Sequence, residues 1–401
     1  MLVAGEPSGD ALGAELVAAL KASSALGAQP FPAAFFGAGG PRMAAAGVAL
    51  EVDLAAHAVV GIWEVLKNYG FFKRVFDQLV HVAIERQPEV IILIDYPGFN
   101  LRFARAIKNY LRSRQGTFHD WSPKIVYYVS PQLWAWHESR VHAFGRDVDL
   151  LLSIFPFEKA WYATRAPRLP VEFVGHPMID RHAEPAAANG TDAAASSDSA
   201  IADLPATPSH RRLVLLLPGS RRRELEKHLP VMLGAARKIA ATGDFTFRMV
   251  LPNAALLEFA CQRAANLPGL QLQDHGLATS FREAALAIAS SGTITMECAH
   301  FRVPTVVLYR TSWTTYRLGK WFIHVKFLAM PNLLAGEEIY PEFIQGAATP
   351  ANLAAAALDL LNNAPRRSVV KSKLAEVIAS LGGPGAAPRA AQAVLKLIKC
   401  D

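Results

Sequence analysis

Two glycine-containing turns in the second half of the chain carry residues that suit the binding of an anion. Pro218–Arg221 reads PGSR and Ser291–Thr293 reads SGT, and each turn follows an apolar run and precedes a helical pattern. Backbone N–H groups at such a strand-to-helix turn, together with the start of the helix, can bind phosphate. Two such turns in one half of the chain predict a cleft for a nucleotide diphosphate.

The side chains at these turns add groups of suitable chemistry. Gly219 allows a tight turn, Ser220 offers a hydroxyl, and the planar guanidinium of Arg221 matches a phosphate. Glu297 lies about one turn into the second helix, where its carboxylate could accept both hydroxyls of a ribose. Alternatively, Thr293 simply caps that helix, and Glu297 lies favourably near its dipole. The candidate nucleotide-binding residues are Gly219, Ser220, Arg221, Ser291, Gly292, Thr293 and Glu297.

An aspartate at the end of a buried strand is the candidate general base. Asp95 follows the apolar run Val90–Ile94 and opens the sequence DYPGFN. Ligands of parallel α/β sheets bind outside the carboxyl ends of the strands, where a carboxylate can accept a proton from a hydroxyl. The alternative is a helix cap, a role that Asn100 could share.

Two further turns in the first half contain candidate substrate-binding residues. Ala4–Asp10 reads AGEPSGD, and Ser8 and Asp10 are its candidates, although Asp10 could instead cap a helix that begins near Ala11. His176, in VGHP, either touches substrate or forms a hydrogen bond at the domain junction. Gly37–Gly40 resembles a dinucleotide-binding fingerprint only weakly, because its spacing is not G-x-G-x-x-G.

An aromatic and basic segment, Val59–Val82, is the candidate membrane surface. Trp63, Leu66, Phe71 and Phe72 are its apolar candidates, and lysines and arginines are mixed among them. An apolar surface flanked by basic residues is typical of a protein that lies on an anionic bilayer or grips acyl chains. An ordinary core helix is the alternative.

The elements that must position these residues follow an α/β pattern. The predicted strands, each between helical segments, are Val90–Ile94, Ile125–Val129, Leu150–Phe155, Val171–Val174, Leu213–Leu217, Phe245–Leu251, Leu270–Gln273, Ala285–Ala289 and Thr305–Leu308. Such continuous apolar strands indicate parallel sheets covered on both faces. A chain of 401 residues favours two domains, here two Rossmann-like α/β domains. The Ala- and Ser-rich segment 183–210 predicts a flexible insertion between them.

The composition of the chain limits the classes of partner that it could bind. The formal net charge of +7 favours an anionic partner, but no run of Lys and Arg is dense enough to indicate a nucleic-acid arm. The three scattered cysteines, Cys261, Cys298 and Cys400, indicate a reducing cytosol rather than a disulfide framework or a zinc cluster. No apolar segment is long enough to span a bilayer.

In their order along the chain, these motifs resemble the lipid-A-disaccharide synthases, membrane-associated glycosyltransferases of Gram-negative outer-membrane biogenesis (glycosyltransferase family 19). The resemblance runs almost to the C-terminus apart from the insertion. The motifs that carry it are GAGGPRM (37–43), GIWEVL (61–66), IDYPGFN (94–100), SPQLWAW (130–136), VGHP (174–177), LPGSR (217–221), SGTITME (291–297) and MPNLLAG (330–336).

The resemblance implies a glycosyltransferase B fold and transfer of 2,3-diacylglucosamine from its UDP conjugate to 2,3-diacylglucosamine 1-phosphate, with inversion. It implies no metal and no other cofactor. Asp95 matches the family's essential aspartate, Arg221 its nucleotide-site arginine and Glu297 the ribose-binding glutamate of the fold. Asn332, Glu342 and Gln345 lie in further matching segments. Gly98 departs from the family, which usually has an acidic residue there.

The resemblance also implies partners and location. We expect a peripheral protein on the cytoplasmic face of the inner membrane, and a homodimer with exchanged C-terminal portions. The expected domains are an acceptor domain (1–182), the insertion (183–210), a UDP-sugar domain (211–345) and C-terminal helices that pack back on the first domain (346–401). Another UDP-sugar glycosyltransferase or epimerase of this fold is the main alternative, and a nicotinamide-dependent oxidoreductase is the weaker one.

Overall fold

The computed structural model describes residues 1–25, 34–55, 69–114, 120–136, 138–182, 211–264, 267, 269–313, 316–317 and 325–399. The predicted insertion at 183–210 lies outside the described residues. The chain divides into two compact units, Met1–Ala183 with Leu381–Asp401, and Glu184–Ser380. Within the described part of the chain, no helix is both long enough and apolar enough to cross a membrane.

The first unit is built on a sheet whose paired strands are all parallel. Its strands are β1 Leu2–Ala4, β2 Phe36–Gly39, β3 Ala49–Asp53, β4 Val90–Ile94, β5 Lys124–Tyr128, β6 Leu150–Ser153 and β7 Val171–Phe173. Their spatial order is β3-β2-β1-β4-β5-β6-β7. The order reverses between β1 and β4, so the loops after these two strands flank the topological switch point, where ligands of such sheets bind.

Helices connect these strands. They are α1 Pro7–Ala25, α2 Pro41–Ala45, α3 Tyr69–Arg86, α4 Pro97–Ser113, α5 Leu133–Trp136, α6 Val141–Asp147, α7 Pro156–Arg165 and α8 Pro177–His182, with a 3₁₀ turn at Glu138–Arg140. The central strands β1, β4 and β5 are almost wholly buried, as expected for strands covered on both faces. The phenylalanines of α4 pack into the same core as β4 and β5.

The second unit repeats this plan. Its strands are β8 Arg212–Leu217, β9 Phe245–Val250, β10 Leu270–Gln273, β11 Ala284–Ser290, β12 Thr305–Tyr309 and β13 Glu342–Ile344. They form a parallel sheet in the order β10-β9-β8-β11-β12-β13. The switch point lies between β8 and β11, the two strands that precede the glycine turns.

The helices of the second unit are α9 Arg222–Ala240, α10 Ala254–Ala264, α11 Leu277–Glu283, α12 Ile294–His300, α13 Met330–Ala335, α14 Pro350–Asn362 and α15 Ala364–Ser380. The domain expectation differs here, because α14 and α15 belong to the second unit. Their buried leucines, such as Leu353 and Leu374, join the core of that unit. The chain re-enters the first unit at Leu381, and the last helix, α16 Ala386–Lys399, packs along α1.

The nine predicted strands are present with bounds that differ by at most two residues. Strands β1, β2, β3 and β13 are not among these nine. Strand β2 reads FGAG, a sequence that looks like a turn because glycine has low strand propensity. Gly37 has a φ of 145° and lies so close to β1 that a Cβ there would overlap the Leu2 carbonyl. Glycine is therefore required by the close approach of two strands.

Candidate active site

The candidate base lies at the switch point of the first unit. Ala4 of β1 is in register with Ile94 of β4, so Gly5 and Glu6 lie beside the Asp95–Tyr96 turn. Asp95 and Tyr96 both adopt left-handed backbone conformations, with φ values of 47° and 48°. Two consecutive non-glycine residues in this region cost on the order of 1–3 kcal/mol each and persist only where surrounding contacts enforce them.

Several hydrogen bonds enforce the turn. The Asp95 carbonyl accepts from the Tyr127 hydroxyl at 2.7 Å and from the Asn100 side-chain amide at 2.8 Å. The Asp95 N–H donates to the Tyr128 carbonyl at 2.9 Å. Asn100 therefore holds the turn from inside α4 and does not cap that helix. The backbone of Asp95 is fixed from three sides, while its carboxylate is left at the edge of the sheet.

Burial and a neighbouring acid set the protonation of this carboxylate. Desolvation, with a smaller contribution from the charge of Glu6, raises the pKa of Asp95 from 3.8 to about 6. A base with a pKa close to neutral is ionised at pH 7 and still accepts a proton readily. Glu6 was not singled out in the sequence, although it lies in the AGEPSGD turn. The pairing of β1 with β4 is what brings the two acids together.

The ring of Tyr96 covers the β1 loop. A Cβ on Gly5 would overlap this ring, so the contact requires glycine at position 5. The Tyr96 ring also stacks on Phe99, with ring centroids 5.9 Å apart. The aromatic contact ties the Asp95 turn to the start of α4.

The predicted substrate-binding residues of the first unit differ in their surroundings. Ser8 is exposed in the first turn of α1. Asp10 is buried, and its carboxylate accepts N–H bonds of 2.8–3.0 Å from Gly40, Arg42 and Met43. The prediction of a helix start near Ala11 was wrong, because α1 begins at Pro7 and Asp10 instead satisfies the start of α2. These contacts give Asp10 a structural role.

His176 follows β7 and is held as a neutral imidazole. Its Nδ1 accepts from the Met178 N–H at 3.2 Å, and its own backbone N–H donates to the Leu381 carbonyl at 3.0 Å. Burial, aided by the charge of Arg181, lowers the pKa of His176 to about 4. Because Nδ1 is the acceptor, Nε2 carries the hydrogen and is a donor.

The membrane candidates are only partly described. Trp63 and Leu66 lie outside the described residues. Phe71 and Phe72 are half-buried in α3, with their rings edge-to-face at 5.6 Å. Phe71 also packs on the core of the first unit. Of the described pair, Phe72 is therefore the better candidate for contact with a lipid.

In the second unit the two glycine turns lie side by side. Leu217 at the end of β8 is in register with Ala289 of β11, so Pro218–Ser220 lies next to Ser290–Gly292. Adjacent strands are about 4.8 Å apart, a separation that one diphosphate can bridge. Gly219 has a φ of 121° and Gly292 a φ of 155°, values that favour glycine. The topology thus brings both halves of the predicted nucleotide site together.

The donors of the first turn already lie near a carboxylate of the protein itself. The Ser220 N–H donates to Glu224 Oε2 at 2.9 Å, and the Arg221 guanidinium lies 3.7 Å from the same carboxylate. Arg221 remains largely exposed, with 54% of its side chain accessible. A phosphate that uses the Ser220 N–H must therefore displace the Glu224 carboxylate.

The second turn is more open. Gly292 and Thr293 are exposed, and among the described residues their N–H groups have no backbone acceptor. Thr293 does not cap α12 with its side chain, contrary to the alternative considered from the sequence. The Ser291 hydroxyl donates to the Leu328 carbonyl at 3.1 Å. Glu297 is half-buried one turn into α12, as its spacing predicts.

His228, which the sequence did not single out, joins two loops of this edge. Its Nδ1 lies 2.7 Å from the Pro218 carbonyl, and its Nε2 accepts from the Arg310 N–H at 3.1 Å. The acceptor at Nε2 fixes the tautomer with the hydrogen on Nδ1. Burial lowers the pKa of His228, which favours this neutral form. The signal in the sequence was a histidine on the apolar face of α9.

The three lower-ranked candidates are bonded within the second unit. Buried Asn332 bonds the backbone of Ile339 and Tyr340, and Glu342 accepts from Leu328, Ala329 and Asn332. Gln345 bonds both the N–H and the carbonyl of Thr311. These side chains hold the loop after β12 and the segments on both sides of α13. Their contacts support positioning roles rather than direct binding, which stays a prediction.

Comparison with known proteins identifies the family. The model of the family described as lipid-A-disaccharide synthetase matches residues 1–397. The chain belongs to this family. A lipid-A-disaccharide synthase of Geobacter sulfurreducens is 38% identical over 99% of this chain and 97% of its own length. One of Trichlorobacter lovleyi is 37% identical over 100% of this chain and 97% of its own.

Solved structures resemble this synthase family member in fold. A glycosyltransferase of kitacinnamycin is similar with a TM-score of 0.58 and 16% identity, over 98% of both chains. The UDP-N-acetylglucosamine 2-epimerase of Neisseria meningitidis, bound to UDP-N-acetylglucosamine, has a TM-score of 0.54 and 11% identity over 97% of both chains. The fold is glycosyltransferase B, with two Rossmann-like domains, as predicted.

The oxidoreductase alternative is not favoured. Gly37 and Gly39 lie within β2, and the N–H groups at the start of α2 already donate to Asp10. A dinucleotide would need those groups for its pyrophosphate. Among the described residues, no group of three or more His, Cys, Asp or Glu side chains could hold a metal ion.

Proposed function

We propose that the protein is an inverting glycosyltransferase that joins UDP-2,3-diacylglucosamine to 2,3-diacylglucosamine 1-phosphate. The products are the β-1,6-linked disaccharide 1-phosphate and UDP. The observation that carries this proposal is membership of the lipid-A-disaccharide synthase family over residues 1–397. Two features of the structure support it: an acid with a raised pKa at one switch point, and a pair of adjacent glycine turns at the other.

In this mechanism Asp95 acts as the general base. Its carboxylate accepts the proton of the acceptor 6-hydroxyl as the oxygen attacks the anomeric carbon of the donor. The bond between that carbon and the UDP oxygen breaks in the same displacement, so the anomeric configuration inverts. The fixed turn around Asp95 keeps the carboxylate oriented while its raised pKa keeps it basic.

The leaving UDP takes up negative charge, which the second unit stabilises. The N–H groups of Gly292 and Thr293 and the guanidinium of Arg221 are donors for the diphosphate, and Glu297 binds the ribose. Donors that are fixed before the reaction stabilise such charge without reorganising. His228 supports this role by keeping the Pro218 turn in place.

Product analysis tests the reaction. Purified protein incubated with both diacylglucosamine substrates should yield the disaccharide 1-phosphate by mass spectrometry, with a β anomeric signal by NMR. Asp95→Asn should abolish turnover and still bind UDP in calorimetry, whereas Glu89→Gln, at an exposed carboxylate just before β4, should keep full activity. Substantial turnover by Asp95→Asn would show that another group is the base.

Membrane association and a dimer complete the proposal. We expect the protein to bind the cytoplasmic face of the inner membrane through the 59–82 segment, and Phe72→Ser should reduce its sedimentation with anionic vesicles. We also expect a homodimer with exchanged C-terminal portions. In the structure α16 packs within its own chain, where Asp180 accepts from the Gly385 and Ala386 N–H groups. Exchange would make these bonds between chains, and light scattering would detect the dimer.

A further inference from the structure

A basic groove lies on the first unit between α4 and α6. Its volume is about 290 Å³, and Pro97 and Gly98 at the start of α4 line one end. Leu101 and Phe144 contribute apolar surface, and the arginines at 102, 105 and 140 provide the charge. None of these arginines has a role in the reaction as described above.

The groove carries more positive charge than its one carboxylate can balance. Asp147 is the acidic residue of the lining, and only 6% of its side chain is exposed. It already pairs with Arg105 at 3.5 Å, Arg112 at 3.3 Å and Arg146 at 3.0 Å. Three guanidinium groups around one buried carboxylate leave a local excess of two positive charges.

Two further arginines increase this excess. Arg102 and Arg140 are exposed, line the same groove and form no ion pair with any described residue. Arg102 lies next to Arg105 on the surface of α4, because residues three apart in a helix are neighbours. The planar guanidinium fork matches the oxygens of a phosphate and binds it in a bidentate manner. The groove therefore has the charge and the donor geometry for a phosphate group.

The groove begins close to the candidate base. Pro97 follows Asp95 by two residues, and Arg102 lies about 7–8 Å beyond Pro97 along the helix axis. A sugar that presents one hydroxyl to Asp95 and carries a phosphate on the far side of its ring has the dimensions to reach from one to the other. The acceptor of the proposed reaction is such a sugar.

We propose that Arg102 and Arg140 bind the phosphate of the lipid acceptor in this groove. This inference rests on the proposed function and extends it with a recognition site for the acceptor. The apolar side chains of Leu101 and Phe144 then lie against the less polar part of the bound ligand. The headgroup phosphate of a bilayer phospholipid has the same chemistry, and the experiment below separates the two sources.

The test uses Arg102→Ala combined with Arg140→Ala, which leaves the ion pairs of Asp147 intact. Loss of two charge-assisted contacts should raise the KM for the acceptor by at least about 10-fold and leave the KM for the UDP donor unchanged. Replacement of both arginines by lysine should restore part of the affinity, since lysine keeps the charge but lacks the fork. Arg168→Ala is the matched control, because this exposed arginine precedes β7, at the amino end of the strands, and does not line the groove.

A second measurement identifies the phosphate. The wild type should prefer the acceptor 1-phosphate over the dephosphorylated acceptor, and the double variant should lose most of this preference. Unchanged preference combined with weaker sedimentation on phosphatidylglycerol vesicles would overturn the proposal and assign the groove to the bilayer. An unchanged preference and unchanged sedimentation would also overturn it. Absence of any disaccharide from the wild type would instead refute the proposed function.

Discussion

Replacement of Asp95 by asparagine should stabilise the protein at neutral pH while removing its activity. Burial and Glu6 raise the pKa of Asp95 from 3.8 to about 6, so the ionised carboxylate is less stable in the folded protein than in the unfolded chain. That difference corresponds to a cost of at most about 3 kcal/mol above pH 7. Asparagine removes the charge, keeps the shape and tolerates the left-handed backbone at this position.

The stabilisation by Asp95→Asn should depend on pH in a defined direction. For an acid whose pKa is raised by folding, the cost is absent below the unfolded value of 3.8, grows through the interval up to about 6, and is then constant. The gain from Asp95→Asn should therefore be at most about 1 kcal/mol at pH 4.5 and at most about 3 kcal/mol at pH 8. For a domain of 150–250 residues these upper limits correspond to rises in the melting temperature of at most about 2–4 °C and 6–12 °C.

Thermal unfolding of both proteins across this pH range measures the effect without any substrate. Asp77→Asn provides the control, because this carboxylate is exposed on α3 and its loss should leave the melting temperature unchanged at both pH values. A variant at position 95 that melts no higher than the wild type at pH 8 would refute the reasoning. An equal gain at pH 4.5 and pH 8 would refute it too, since the effect would then not depend on ionisation.

Three further substitutions test the Asp95 turn of the first unit and the glycine turns of the second unit. Glu6→Gln should move the acidic limb of the kcat/KM profile to lower pH by at most about 1 pH unit. The shift is small because desolvation rather than Glu6 is the larger cause of the raised pKa of Asp95. An unmoved limb would show that a group other than Asp95 produces this limb. Gly5→Ala should displace the Tyr96 ring and lower kcat by at least about 10-fold with UDP affinity unchanged, and normal kcat would contradict the contact. His228→Ala should leave the buried Pro218 carbonyl and the partly buried Arg310 N–H without their side-chain partner, which lowers the unfolding free energy by about 2–4 kcal/mol and weakens UDP binding in calorimetry. An unchanged UDP affinity would confine His228 to a structural role.

The strands that the sequence predicts are those whose burial on both faces produces continuous apolar runs. Strands β2 and β13 lack that pattern for different reasons. Half of strand β2 is glycine, and Gly37 is required by the close approach of β2 to β1, whereas β13 is a three-residue edge strand. Close backbone approach and edge pairing depend on distant residues, so local propensity does not reveal them.

The same reason explains why the sequence does not separate candidate ligand-binding side chains from side chains with a structural role. Asp95 and the two turns are visible because they follow recognisable strands. Asp10, Asn332 and Glu342 carry equally suitable polar groups, but backbone N–H groups from other loops already occupy them. Spacing along the sequence cannot distinguish a carboxylate that awaits a ligand from one that satisfies a loop. The sequence does not single out Glu6, because only the register of β1 with β4 brings it next to Asp95.

The two units share a strand order around the switch point, but the loops at that point differ in charge. Both sheets reverse their strand order next to the first strand, so both present two neighbouring loops at a switch point. In the first unit these loops supply two acids, Glu6 and Asp95, and the charge of Glu6 contributes to the raised pKa of Asp95. In the second unit they supply N–H donors and Arg221, which suit a departing diphosphate. An inverting transfer needs one group that accepts a proton and another that stabilises released negative charge. Because the strand order around the switch point is the same in both units, the proposed division of roles depends on the loop residues.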